Sequence, residues 1–186
     1  MIKHRSLAKL IILSMITCGI YGIFFWWGYI DDINEVCVCD GKKSPNLIVV
    51  VLLSVFTCGL YYLFWLYKQG ERLQAIAPDY GLILKDGGGS VLIQYLLGSF
   101  FTSLGSSISS AASMVNGKYS IAVAGFNDAA FRDMVTALHI APDAVLMLLF
   151  CGVVLYLLGI VLTLSALNVL IRNLNAVGHV YNERCR

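Results

Sequence analysis

Apolar and polar positions alternate along the chain in long blocks. Four apolar segments, residues 7–30, 47–67, 91–115 and 144–171, are separated by shorter charged ones. As a helix, Leu7 to Ile30 would extend about 36 Å, enough to cross a hydrocarbon core of about 30 Å with some tilt. The first two segments are copies of one sequence. Leu13-Ser14-Met15-Ile16-Thr17-Cys18-Gly19-Ile20-Tyr21-Gly22-Ile23-Phe24 returns forty positions later as Leu53-Ser54-Val55-Phe56-Thr57-Cys58-Gly59-Leu60-Tyr61-Tyr62-Leu63-Phe64. The pattern predicts an all-α integral membrane protein, a small bundle of about four transmembrane helices. The first two form a sequence repeat, and the chain makes a single membrane domain.

Small residues mark where these helices meet a neighbour. Ser14, Cys18 and Gly22 recur every fourth residue in the first copy, and Ser54 and Cys58 in the second. In the third segment Ser99, Ser103, Ser107 and Ala111 do the same, beside a row of Thr102, Ser106 and Ser110. Such faces let helix backbones approach closely. They predict packing within the chain, a protein partner or self-association, and they leave open an oligomeric pore lined by the hydroxyls of the third segment. Gly19 and Gly59 fall near the middle of their segments, where glycine permits close contact or a bend. A chain that folds back there would make re-entrant hairpins. Continuous spans are the expectation, because backbone opened inside lipid needs internal hydrogen-bond partners. The aromatic ends, with Trp26, Trp27, Tyr29, Trp65 and Tyr67, suit an interfacial belt.

Four spans place both termini on one side. Lys3, Arg5, Lys9, Lys68, Arg72, Lys85, Arg172, Arg184 and Arg186 then share that side, against Lys42, Lys43, Lys118 and Arg132 on the other. Nine against four puts the termini in the cytoplasm of a multi-pass protein, in a bacterium the cytoplasmic membrane. Residues 116–142 form an extra-membrane insertion. There Asn127 or Asp128 can cap a short amphipathic surface helix with Phe131, Met134, Val135 and Leu138 on one face. Lys85 to Ser90, with three consecutive glycines, reads as a flexible linker.

Composition sharpens this picture mainly by exclusion. The chain of 186 residues is 59% hydrophobic and 13% charged, so lipid is part of its solvent. A net charge of +2 without a basic run gives no nucleic-acid footprint. Apart from Lys9, no Asp, Glu, Lys, Arg or His interrupts the four segments, which counts against a pump, a proton-coupled transporter or an intramembrane aspartyl protease. Cys18, Cys58 and Cys151 read as small apolar residues, and Cys37, Cys39 and Cys185 as exposed thiols. No cysteine or histidine spacing suits a metal, and no cofactor site is recognisable. The three histidines, His4, His139 and His179, are scattered at segment ends, and His139 and His179 are the most plausible bases for a lipid-modifying enzyme; with no catalytic arrangement in view, the reading is non-enzymatic. The basic start followed by an apolar run imitates a signal peptide, but its length and the recurrence of Thr-Cys-Gly at Thr57 predict a retained segment.

The twin Leu-Ser-x-x-Thr-Cys-Gly-Ile/Leu-Tyr segments, their aromatic ends and Asp31-Asp32-Ile33-Asn34 resemble a bacterial membrane family, domain of unknown function 4234. Asp40-Gly41-Lys42-Lys43-Ser44-Pro45, Gly70-Glu71-Arg72-Leu73-Gln74, Ala77-Pro78-Asp79-Tyr80-Gly81-Leu82, Asn173-Leu174-Asn175-Ala176 and Tyr181-Asn182 are also similar. The resemblance covers about residues 7–97 and, loosely, the last thirty; the stretch from Ser106 to Pro142 departs from it. It implies a membrane protein and assigns no catalytic residue. The function expected is that of a structural or protein-docking component in contact with membrane lipids, the alternative being an oligomeric channel.

Overall fold

The computed structural model describes residues 1–123 and 142–184, which are helical and contain no strand. The helices are α1 (Leu7–Ile16), α2 (Ile20–Val36), α3 (Leu47–Phe56), α4 (Leu60–Ile76), α5 (Gly88–Val123) and α6 (Pro142–Arg184). The 3-10 turns Val38–Asp40 and Ala77–Tyr80 follow α2 and α4. Two of the helices, over Gly88–Ser113 and Ala144–Arg184, are long and apolar enough to cross a membrane. The surface helix expected near Asp128 to Leu138, like His139, lies outside the described residues. The connection expected from Asn116 begins later, since α5 runs on to Val123.

The continuous helices expected over 7–30 and 47–67 are each broken at Thr-Cys-Gly. Cys18 and Gly19 take φ of 49° and 91°, and Cys58 and Gly59 take 50° and 87°, so two successive left-handed residues reverse the chain. Each ten-residue helix packs back on the longer helix that follows, α1 on α2 and α3 on α4. The backbone opened by each bend finds its partners inside the motif. Thr17 Oγ1 donates to the Leu13 carbonyl at 2.7 Å and accepts the Tyr21 N–H at 3.0 Å. Thr57 Oγ1 does the same with Leu53 and Tyr61, at 2.8 and 2.9 Å. Gly19 and Gly59 donate their N–H to Ser14 and Ser54 at 2.7 Å, closing the ends of α1 and α3 as left-handed caps do. One threonine per copy thus supplies part of what a bend in lipid requires, internal partners for the opened backbone.

The chain divides into two compact units, residues 1–95 with 164–186, and 96–163. The first holds both hairpins around a core of Tyr29, Ile33, Trp65, Leu66, Leu73, Leu170 and Leu174, all 2% exposed or less. Its glycines 87 and 88 are buried contacts instead of the expected flexible linker. A Cβ on Gly70 would lie 2.6 Å from the Gly88 Cα, so α4 and the start of α5 meet backbone to backbone.

In the second unit, parts of α5 and α6 pair closely along a glycine seam. A Cβ on Gly98 would fall 2.9 Å from the Gly159 carbonyl oxygen, and one on Gly105 would fall 2.5 Å from that of Gly152. Gly98, Thr102, Gly105, Ser109 and Ala112 follow a four-three alternation, the spacing that keeps a seam facing its partner. The expected row of Ser99, Ser103, Ser107 and Ala111 lies beside this seam and is exposed, because a strict four-residue step drifts around the helix. Thr102 and Thr163 turn their hydroxyls back to the carbonyls of Gly98 and Gly159.

Candidate membrane interface

The base of each hairpin is a polar clamp, and the two clamps are built on equivalent positions. Asp32 on α2 and Arg72 on α4 are forty residues apart, the offset of the repeat. Each holds the segment that leads into its own hairpin. In the first copy Arg5 donates from Nε to Asp32 at 2.8 Å and from Nη1 to the Phe25 carbonyl at 3.1 Å, with its guanidinium 5.3 Å from the Phe25 ring centre. The charges are exchanged in the second copy. Arg72 donates to Asp40 through Nε and Nη2 at 2.8 and 3.2 Å, to the Lys42 carbonyl at 2.7 Å, and to Asn34 and Ser44 at 3.2 and 2.8 Å. All five of its N–H groups are thereby used. Asn34 and Gln74, again forty apart, each bind backbone ten residues on, at Ser44 and Leu84.

Asparagines on α6 complete the base in the first unit. Asn175 pairs with the N–H and carbonyl of Arg5 at 2.8 and 2.7 Å, and Asn182 pairs likewise with Ile2 at 2.8 Å both ways. Ile2 rests against Gly178 between them, where any Cβ would collide with it. Asn173 donates to the Asp86 carbonyl at 2.7 Å, beside an exposed Arg172–Asp86 ion pair.

Environment separates the two clamp acids. Burial, reinforced by Glu35 and Asp31, raises the Asp32 carboxyl above its ordinary value in spite of Arg5. Burial also pushes Asp40 up, but the Arg72 hydrogen bonds, the Lys42 N–H and the charges of both residues outweigh it and hold Asp40 low. Burial moves the Cys37 thiol up to about 11. Cys37 closes α2 inside the core, which corrects the expectation of an exposed thiol; Cys39 is exposed. Among the described residues no group of three or more His, Cys, Asp or Glu side chains could hold a metal ion.

Above the clamps the surface becomes apolar. At the hairpin tips Met15 is 77% exposed and Phe56 78%, with Ile16, Phe24, Val55 and Leu60 similarly open. A groove of about 470 Å³ runs between α2 and α3, lined almost wholly by apolar atoms of Ile23, Trp26, Val50, Val51, Tyr62 and Trp65. Tyr62, just beyond the second bend, meets Tyr95, only seven residues into α5 from Gly88, at 5.6 Å between ring centres. The second hairpin therefore covers about two turns of α5, some 10 Å at 1.5 Å per residue.

Residues singled out by type are distributed unevenly. Cys18 and Gly19, with Cys58 and Gly59, form the exposed tips, while Ser14 faces Gly22 across the first hairpin at ordinary contact distance. Ser54 bonds back to the Val50 carbonyl. Of the expected belt, Trp27 and Tyr67 keep exposed surface. Trp26, Tyr29 and Trp65 instead build an aromatic core, with Trp26 at 5.2 and 5.7 Å from the other two. The clamp residues Arg5, Asp32, Asp40 and Arg72 went unrecognised as a set, although the forty-residue offset carried the signal.

No curated protein and no solved structure matches this chain. Residues 5–75, the stretch containing both bends and both clamps, match the family described as Domain of unknown function (DUF4234). Over that segment the chain is similar to the DUF4234 family.

Proposed function

We propose that the protein is a non-enzymatic structural component of a membrane, crossing it with α5 and α6 and inserting the hairpins α1–α2 and α3–α4 into a single leaflet. The observation that carries this reading is the pair of ten-residue hairpin arms. Each is about 15 Å long, half a hydrocarbon core, with an apolar tip and a charged base. A second argument comes from charge. If both hairpins return to the side they entered from, Lys42 and Lys43 join the termini, and nine against four becomes eleven against two. The base then faces the cytoplasm, of a bacterial cell in the setting the sequence suggests. The clamp side chains Arg5, Asp32, Asp40 and Arg72 are engaged with one another and with backbone, which favours a scaffold over a catalyst.

Two wedges in one leaflet expand that leaflet relative to the other. In vesicles of mixed size, the protein is expected to concentrate in the most curved ones. Uniform density across sizes would count against the wedge. The exposed row of Ser99, Ser103, Ser107 and Ala111 favours one second reading, self-association or partner docking through α5, of which an oligomeric channel is the extreme form. Conductance in planar bilayers would support the channel. A monomeric mass in detergent would exclude it.

A further inference from the structure

The repeat leaves one clamp plugged and its counterpart open. In the first copy the Arg5 side chain lies between the lead-in segment and α2, over the Phe25 ring and so close to Gly28 that a Cβ there would meet its Nη2 at 2.7 Å. Forty residues on, Pro45 replaces Arg5, Trp65 replaces Phe25 and Lys68 replaces Gly28. Among the described residues no side chain fills the equivalent space. A cleft of about 450 Å³ remains between Lys42–Pro45 and α4, within the range of about 300–1,000 Å³ usual for small-ligand sites.

Its chemistry is that of a membrane interface. The floor is aromatic, from Tyr61, Phe64 and Trp65, and the basic side chains lining it outnumber the acidic ones by four to two. The two acids are Asp40, already held by Arg72, and Glu71. Arg72 has no N–H left to offer, so recognition falls to Lys42, Lys43 and Lys68. All three are exposed, and among the described residues none lies within ion-pair distance of a carboxylate. Lys68 is steadied over the Phe64 and Tyr67 rings at 5.6 and 5.7 Å. Trp65 lines both this cleft and the apolar groove between α2 and α3, so charged and acyl-compatible surfaces meet at one residue.

We propose that this cleft binds the headgroup phosphate of an anionic phospholipid, with Lys42, Lys43 and Lys68 as ligands. The proposal rests on the re-entrant reading, which brings these lysines to the headgroup level on the base side. The test uses the full chain reconstituted in phosphatidylcholine with phosphatidylglycerol, followed by native mass spectrometry of retained lipid. Wild type should retain phosphatidylglycerol on the order of a hundredfold over phosphatidylcholine, the scale expected for three lysines at an anionic surface. The Lys42→Gln/Lys43→Gln/Lys68→Gln variant should fall to parity. A Lys3→Gln/Lys85→Gln variant, with charge removed from the same side but outside the cleft, should keep the preference. Unchanged melting in phosphatidylcholine alone checks that the triple variant folds. Equal preference in the triple variant and wild type would overturn the proposal, as would displacement of the lipid by millimolar inorganic phosphate, which marks a soluble-anion site. Impermeant thiol labelling of Lys43→Cys and Lys85→Cys in the same liposomes separates the two failures. Labelling from opposite sides defeats the re-entrant reading itself, whereas labelling together without lipid preference defeats only the lipid site.

Discussion

Replacing Gly59 by alanine has opposite consequences in a bend and in a continuous helix, which makes it a sensitive probe of this fold. In the structure Gly59 holds φ of 87° and nothing lies within 4 Å of where its Cβ would be, so the entire effect is conformational. An L-residue in the left-handed region costs about 1–2 kcal/mol. Gly59→Ala should therefore destabilise the protein by about that amount, and the Gly19→Ala/Gly59→Ala double variant by about twice as much, because the two bends lie in separate hairpins. Were residues 47–67 one helix, the same substitution would stabilise by about 1 kcal/mol. Cys58→Gly reverses the comparison. It relieves a left-handed cysteine at φ 50°, so the structure predicts a change from neutral to about 1 kcal/mol stabilising, where an unbroken helix predicts a small loss of about 0.3 kcal/mol. The assay is equilibrium unfolding in mixed micelles, followed by circular dichroism and tryptophan fluorescence. A stabilising Gly59→Ala together with a destabilising Cys58→Gly would refute the bend.

The remaining predictions concern the groups that support the bends, the seam and the base. Thr57→Val removes both partners that Thr57 Oγ1 supplies, to Leu53 and Tyr61, and should cost about 1–2 kcal/mol in the same assay, with Thr57→Ser recovering most of it. Gly105→Leu forces α5 and α6 apart and should lower the melting temperature in detergent, whereas Ser103→Leu on the exposed row should leave it nearly unchanged. Arg72→Lys replaces five fixed donors by three and should cost about 1–3 kcal/mol at neutral pH, measured by the same unfolding titration. Since Asp40 titrates lower folded than unfolded, its contribution is present above the ordinary aspartate value of about 3.9 and is lost as pH falls through the lowered one. Asp40→Asn should flatten that acid limb of a stability–pH profile.

Much of this architecture could be read along the chain, and the parts that escaped have physical reasons. The forty-residue repeat and the apolar lengths of α5 and α6 are properties of long windows, where hydropathy is informative. The bends are not, because Cys18-Gly19 and Cys58-Gly59 change two dihedral pairs inside an apolar run without altering its hydropathy. Their signature lies in Thr17 and Thr57, whose hydroxyls bridge a carbonyl four residues back and an N–H four residues on. Side-chain type likewise failed to tell Trp26 and Trp65, which are packed inward, from Trp27, because a ring at a belt and a ring in a core have the same composition. The seam of α5 fell one row from the serines that suggested it, since Gly98 and Gly105 are seven apart, and a search on every fourth residue passes over them. The clamps required a comparison of the copies for reversed charge as well as for identity: Asp32 and Arg72 share a place in the repeat but carry opposite signs.

Whether both hairpins return to the side they entered from is tested most directly by sidedness. Single cysteines replacing Lys43, Lys85 and Lys118 in a cysteine-free background would be labelled with an impermeant maleimide, in intact cells and in inverted vesicles. The account predicts that Lys43→Cys and Lys85→Cys react together from the cytoplasmic face and Lys118→Cys from the opposite one. Reaction of Lys43→Cys on the same side as Lys118→Cys would contradict it, showing that the repeated segments cross the membrane.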